Sequence, residues 1–389
     1  MDKVRMGIIG IGNMGSSHCK NILAGKCPDI TLTAVADISP ERRMFAKENF
    51  PENVAIFDDA MKMLESGLID AVIVATPHYY HPQYVIAALE RGIHAMSEKP
   101  AGVYTKQVRE MNAVAAKSDA IFALMFNQRT DHIYRKMREI VQSGELGAIR
   151  RTSLIITNWY RPQAYYDSGA WRATWAGEGG GVLLNQCPHN LDYWQWICGM
   201  PCKVQANMSF GKWHDIEVED DVTAYVEYPN GATGTFITTT GDCAGTNRFE
   251  INFDQGKLIS ENGKLSMWKA ECSEQEWSKK NKVPFGAPKL EYTEVKTDGK
   301  SEQHVGVLNA FAGAILRGEP LVARGEEGIN GLTLSNAMHL SAWLGRAVEL
   351  PFDEELYYEE LKKRIATSRL KENVAPFVVA DLDSTYNTK

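Results

Sequence analysis

Val4-Arg5-Met6-Gly7-Ile8-Ile9-Gly10-Ile11-Gly12-Asn13-Met14-Gly15, followed by Ser16–Leu23, reads as an apolar strand, a loop of the form G-x-G-x-x-G and a helix. Glycines recur by chance, so the loop alone says little, and its setting supplies the specificity. Glycines allow a tight turn and close backbone approach, so that the helix N-terminus can hold a pyrophosphate. Asp37 closes the next apolar run, Leu32–Ala36, 22 positions beyond Gly15. A carboxylate there accepts hydrogen bonds from ribose 2′- and 3′-hydroxyls and repels a 2′-phosphate. Gly10, Gly12, Asn13, Met14, Gly15 and Asp37 are therefore the expected cofactor-binding residues. Ile38-Ser39-Pro40 places no arginine directly after Asp37, which favours NAD over NADP, although Arg42 and Arg43 leave NADP open.

Outward from this stretch the alternation continues. Ala71–Ala75, His94–Ser97 and Ile121–Phe126 are short apolar runs, and Pro40–Asn49, His81–Arg91 and Lys106–Lys117 are amphipathic. Strands alternating with helices predict a doubly wound parallel α/β domain, assigned to residues 1–126. After Gly147 the rhythm changes. Val218–Tyr228 and Ala232–Thr240 read as long strands joined at Pro229-Asn230-Gly231, a hairpin signal. Arg150–Trp159, Val204–Phe210, Arg248–Phe253, Lys257–Ser260 and Lys264–Lys269 add strands. Residues 127–389 are thus expected to form an α+β domain with an open, mainly antiparallel sheet. The helical patterns Val305–Leu316, Gly331–Arg346 and Asp353–Ile365 are expected to pack back on the first domain.

Composition narrows the function. Of 389 residues 44% are hydrophobic and 23% charged, which excludes a disordered or low-complexity chain. Forty-nine acidic against 42 basic residues give a net charge of −7 and no basic stripe, so nucleic acid is not an expected partner. No apolar run is long enough to span a bilayer. The fold pattern begins within a few residues of Met1, without a secretory signal, and the odd number of cysteines, seven, forms no Cys-x-x-Cys pair. A cytoplasmic protein with free thiols is expected.

Three further segments carry chemistry. Ala75-Thr76-Pro77-His78-Tyr79-Tyr80-His81-Pro82 and Ser97-Glu98-Lys99-Pro100 fall where strands of the sheet end, and ligands gather at such carboxyl ends. Thr76, Pro77, His81, Glu98 and Lys99 are expected to line the cofactor. A lysine there either stabilises a developing alkoxide or stands on the surface before a turn. The third segment is Glu178-Gly179-Gly180-Gly181-Val182-Leu183-Leu184-Asn185-Gln186-Cys187-Pro188-His189-Asn190-Leu191-Asp192. Its apolar run looks helical, and helical spacing would put Asn185, His189 and Asp192 on one face, with Pro188 kinking the helix unless a turn restarts there. His189 is either a general base for an alcohol proton or a core histidine bonded to a carbonyl. His78, His81 and His189 show no zinc spacing, so no metal is expected.

Taken together, the glycine loop, Glu98-Lys99-Pro100 and the Gly-Gly-Gly…His-x-x-Asp segment resemble the Gfo/Idh/MocA family, which includes glucose–fructose oxidoreductase and inositol dehydrogenases. Phe311–Leu316, Gly325-Glu326-Glu327-Gly328 and Leu350-Pro351 look like that family's closing helices. The resemblance implies a Rossmann domain followed by an open-sheet domain often used for oligomerisation, with the active site between them. It implies Lys99 as the lysine that positions nicotinamide and substrate, and His189 as the acid/base. Many members carry aspartate four residues before that histidine, where this chain has Asn185, which cannot supply the charge that raises a histidine pKa. Lys99 and His189 are then the expected catalytic pair.

Aromatics and arginines crowd the approach to the glycine run, from Trp159 to Trp175. Tyr165, Tyr166, Trp171, Arg172 and Trp175, with Asn185, are expected to bind a sugar, glycoside or polyol, since rings stack on aromatics and hydroxyls meet polar forks. The aromatic content resembles family members that oxidise glycosides, often at the ring 3-hydroxyl. The leading reading is an NAD-dependent sugar or glycoside dehydrogenase, set against an NAD-dependent glycosidase working by transient oxidation and a non-catalytic NAD-binding sensor. A homo-oligomer, dimer or tetramer, is expected through an exposed apolar face of the antiparallel sheet.

Overall fold

The computed structural model describes residues 2–372 and 374. Six parallel strands, β1 (Val4–Ile9), β2 (Ile30–Ala36), β3 (Ala55–Phe57), β4 (Ala71–Val74), β5 (His94–Ser97) and β6 (Phe122–Leu124), form one sheet in the order β3-β2-β1-β4-β5-β6. This is the doubly wound arrangement expected from the sequence. The strand order reverses between β1 and β4, so the loops after these two strands diverge and open a crevice at the carboxyl ends. Every residue of β4 is buried, as a strand covered on both faces must be. β3 was not anticipated, because three residues carry no detectable period.

The second sheet has nine strands: β7 (Ile149–Ile156), β8 (Lys203–Phe210), β9 (Glu219–Glu227), β10 (Thr233–Thr239), β11 (Asn247–Phe253), β12 (Gly256–Glu261), β13 (Lys264–Ala270), β14 (Leu290–Glu294) and β15 (Val348–Glu349). Their order is β14-β13-β12-β11-β7-β10-β9-β8-β15, antiparallel except for the parallel pair β7–β10. The hairpin turn falls where Asn230-Gly231 foretold it, with Tyr228 N donating to Ala232 O at 2.8 Å. β14 and β15 escaped the sequence reading; β14 is exposed along its whole length.

One face of this sheet is core: Leu154, Val222, Ala224, Val226 and Phe236 cluster with Trp194 and Leu191 of the helix Pro188–Cys198. The opposite face is open but mixed, which corrects the expectation of an apolar one. Thr223, Thr235, Ser153 and the Arg248–Glu250 ion pair stand beside Tyr225, Ile155 and Ile237.

The helix Gln303–Arg317 returns to the parallel sheet, where Val307, Leu308, Phe311 and Ala312 pack with Val4, Met6 and Ile8. No helix among the described residues is long and apolar enough to cross a membrane. All seven cysteines are free.

The helix expected through 182–192 begins later. Residues 182–186 are turns, and the helix starts with Pro188 at its first position. Proline has no N–H to give an earlier turn and fits a helix start, so the segment breaks there. Asn185 consequently shares no helix face with His189 and Asp192.

Candidate active site

The cofactor cradle follows from the glycine loop. Gly10 has φ +85°, and a Cβ there would lie 2.7 Å from Ala75 O, so the β1 and β4 loops touch only because it is glycine. A Cβ on Gly12 would meet no protein atom within 4 Å, which marks it as facing open space. The helix Asn13–Leu23 starts without a side-chain cap, and its first internal bond is Ser16 N to Gly12 O at 3.0 Å. The amides of Asn13, Met14 and Gly15 precede that bond and suit an anion.

Asp37 Oδ2 accepts from Ile11 N and Oδ1 from Ser39 N, each at 2.8 Å. The carboxylate thus pins the loop, and each oxygen keeps a lone pair for a ribose hydroxyl. Arg43 Nη1 donates to the carbonyls of Asp37 and Ile38 at 2.8 and 2.9 Å. Across the crevice Thr76 Oγ1 is buried with no hydrogen-bond partner among the described residues. These features fit a dinucleotide.

His81, expected to face the cofactor, braces the strand ends. Its ring nitrogens lie 2.7 Å from the carbonyl oxygens of Pro100 and Thr76. Pro77 precedes the short turn that carries His78, whose Nδ1 sits 3.2 Å from Glu178 O.

Beyond β5, Glu98 is buried with Oε1 2.7 Å from His18 Nε2, on the dinucleotide helix, and Oε2 accepting from Lys99 N. Burial pushes this carboxyl up, but the hydrogen bond and charge of His18, with His304 and Lys99, outweigh it and hold the pKa at about 2. His304, its ring 5.7 Å from that of His18, is driven down to about 4, first by burial and then by His18. No local pattern announces this cluster, whose first pair spans 80 residues.

Lys99 Nζ donates to the backbone oxygen of Asn185 at 2.8 Å, joining the first domain to the glycine segment. Burial lowers its pKa; Glu98 and Glu178 oppose that drop and Arg161 and Arg172 add to it. His189 is 5% exposed, lies edge-on to Phe126, and is held well below its ordinary pKa by burial and then by Lys99. It is a neutral imidazole at pH 7, and its Nδ1 has no hydrogen-bond partner among the described residues.

The glycine segment is shaped by buried carboxylates. Glu219 accepts from Gly181 N at 2.8 Å and Leu183 N at 3.0 Å, with His339 Nε2 3.0 Å away. Glu178, 2% exposed, accepts from Ala173 N at 2.6 Å and closely from the Asn185 side-chain amide. Asp192 pairs with both Arg129 Nε and Nη2 at 2.7 Å, so it serves the arginine and leaves His189 alone. Arg129 continues to Glu327.

Along the aromatic stretch, Arg172 stacks 4.7 Å from Tyr165 and from Trp171, and its Nη1 donates to Tyr165 Oη at 3.0 Å. Trp171 meets His78 edge-on. The remaining two expected contacts pack inward. Tyr166 is 3% exposed and donates to Thr240 Oγ1 at 2.7 Å; Trp175 is 6% exposed and packs on Phe210, His339 and Trp343. Both rings belong to the buried cluster that also holds Val218 and, from the glycine segment, Leu184. Among the described residues no cluster of His, Cys, Asp or Glu forms a metal site.

Most of the chain also matches known proteins. Residues 4–126 match the oxidoreductase family's NAD-binding Rossmann fold, and residues 134–259 match the GFO/IDH/MocA C-terminal domain. A myo-inositol 2-dehydrogenase of Thermotoga maritima is 24% identical over 355 residues, covering 89% of this chain and 98% of that protein. A D-glucoside 3-dehydrogenase of Escherichia coli is 28% identical over 59% of this chain and 68% of its own length. The WlbA dehydrogenase of Bordetella pertussis, crystallised with NADH and UDP-GlcNAcA, superposes with a TM-score of 0.75 at 24% identity, over 90% of this chain and all of that one.

Proposed function

Because the chain belongs to the Gfo/Idh/MocA oxidoreductase family and carries its NAD-binding domain, we propose that it oxidises a secondary hydroxyl of a sugar, glycoside or polyol. The observation that carries this reading is the meeting of Lys99 with the segment bearing Asn185 and His189 at the mouth of the parallel sheet. Bound NAD supplies the hydride acceptor. His189, neutral at pH 7, takes the hydroxyl proton as the C–H bond breaks, and the Lys99 ammonium stabilises the charge growing on that oxygen. Asn185 holds a neighbouring hydroxyl, while Tyr165, Trp171 and Arg172 wall the sugar ring. The D-glucoside 3-dehydrogenase among the relatives supports the ring 3-hydroxyl as the reacting group. The glycosidase and sensor readings are not favoured, since the relatives described are dehydrogenases.

On the same reading residues 1–126 bind the cofactor and 127–389 supply the substrate wall. The open face of the nine-stranded sheet joins copies into a homo-oligomer, and the free cysteines support a cytoplasmic setting. The test is an absorbance screen for NADH across inositols, free sugars and glycosides at alkaline pH. NADH formed with one of them is expected. A screen in which glycoside is cleaved without net reduction, or nothing is oxidised, would overturn the proposal.

A further inference from the structure

A buried carboxylate, Glu178, touches the side chain of Asn185. We propose that Glu178 is a positioning residue: it fixes the Asn185 amide with Oδ1 turned to a substrate hydroxyl and sets a negative charge beside Lys99. The inference rests on the roles proposed above for Lys99 and His189.

Three observations carry it. First, Glu178 is 2% exposed, and both its oxygens accept from N–H groups, Ala173 N and Asn185 Nδ2. Burial pushes this carboxyl up, while Arg172 and the two N–H donors pull the other way and favour the ionised form. Second, with Nδ2 committed to Glu178, the amide has one orientation: the reverse would press Oδ1 against a carboxylate. Oδ1 makes no hydrogen bond among the described residues and is left as an acceptor. Third, Glu178 forms no ion pair with a Lys or Arg within 4.0 Å among the described residues, and Arg172 and Lys99 interact with its charge through space. A buried charge without a contact partner is costly for folding alone. Lys99 Nζ in turn bonds the backbone oxygen of the same Asn185, so residue 185 links carboxylate and ammonium.

The experiment compares wild type, E178Q, N185D and E178Q/N185D as NAD-bound enzymes. The midpoint of Lys99 titration is read from the pH dependence of its acylation by peptide mass spectrometry, and kcat/KM is measured across the same pH range. In E178Q the Lys99 midpoint should fall by about one pH unit, the alkaline limb of kcat/KM should move with it, and NAD affinity should hold. N185D sets two carboxylates together and should also lose activity. The double variant restores one carboxylate facing one amide, so its midpoint should return and its kcat/KM should exceed the product of the two single effects. An unmoved midpoint in folded E178Q, or additive losses in the double variant, would overturn the proposal. If E178Q does not fold, N185A decides, since Glu178 remains: a midpoint held while KM rises supports the charge assignment, and a falling midpoint refutes it. Acylation needs no substrate, so a protein that oxidised no sugar would refute the dehydrogenase reading and still report on Glu178.

Discussion

Replacing His304 with glutamine should make the protein markedly less sensitive to mild acid. The ring sits beside the His18–Glu98 pair beneath Lys99, and burial, then His18, lowers its pKa from 6.5 to about 4. A histidine depressed in the folded state is neutral there while its unfolded counterpart binds a proton. Its contribution to stability is complete above pH 6.5 and is lost as pH falls toward 4. At about 1.4 kcal/mol per pH unit, that window amounts to roughly 3 kcal/mol. Glu98, held at about 2, is ionised in the folded protein throughout the window; it adds to the slope only below its unfolded value near 4.5, and it does so in both proteins. His78, His81 and His189 are also depressed, but they titrate in both proteins and cancel in the comparison. Urea unfolding of wild type and H304Q at intervals between about pH 7.5 and 4 measures the effect. The stability gap between them should close or invert by about 2–3 kcal/mol across that range. Parallel curves would refute the placement of a neutral His304 against His18.

The other expectations concern cofactor, catalysis and assembly. Asp37→Ser should narrow the preference for NAD over NADP in kcat/KM, and a wild type that prefers NADP would contradict the role given to Asp37. His189→Ala should lower kcat by about 10²–10⁴ with NAD binding retained, which fluorescence titration checks. Lys99→Met should cost at least as much, since it removes the donor that stabilises the alkoxide and leaves an apolar stub; near-full turnover in His189→Ala would move the proton transfer to another residue, and in Lys99→Met it would refute the alkoxide role. Light scattering should give a multiple of 43.4 kDa at micromolar concentration, and a monomer would remove the sheet face from consideration as an interface.

Much of the architecture was readable along the chain because it rests on local period. Apolar runs of four to seven residues between amphipathic stretches could only be strands between helices, and Asn230-Gly231 marked its hairpin directly. Where the local signal was thin the reading failed. Ala55–Phe57 is too short to show alternation, and the apolar Val182–Leu184 resembled a helix although Pro188 forbids one before it. The aromatic stretch shows a different limit. Density alone could not separate Tyr165 and Trp171, which stay partly exposed, from Tyr166 and Trp175, which are buried; adjacent residues diverge according to which tertiary neighbours they meet.

The candidate site divides along the same line. Gly10, Gly12, Asp37 and Lys99 could be found from sequence because each belongs to a short motif beside a strand. His18, Glu178 and His304 could not, since their meaning comes from partners distant in the chain or from burial that no motif encodes. Those hidden groups are mostly charges and rings taken out of water, and such groups persist only where hydrogen bonds or opposite charges compensate them. Glu98 with His18, Asp192 with Arg129 and Glu219 with two backbone amides are each satisfied in this way. Each also ties a different element to the rim of the crevice: the dinucleotide helix, the helix bearing His189, and the glycine turn. Lys99 and His189 are therefore held by separate buried carboxylates that belong to neither residue. A substitution that loosens any one of those ties should displace one member of the pair relative to the other, which hydride loss from a carbon coupled to proton loss from its own hydroxyl does not tolerate.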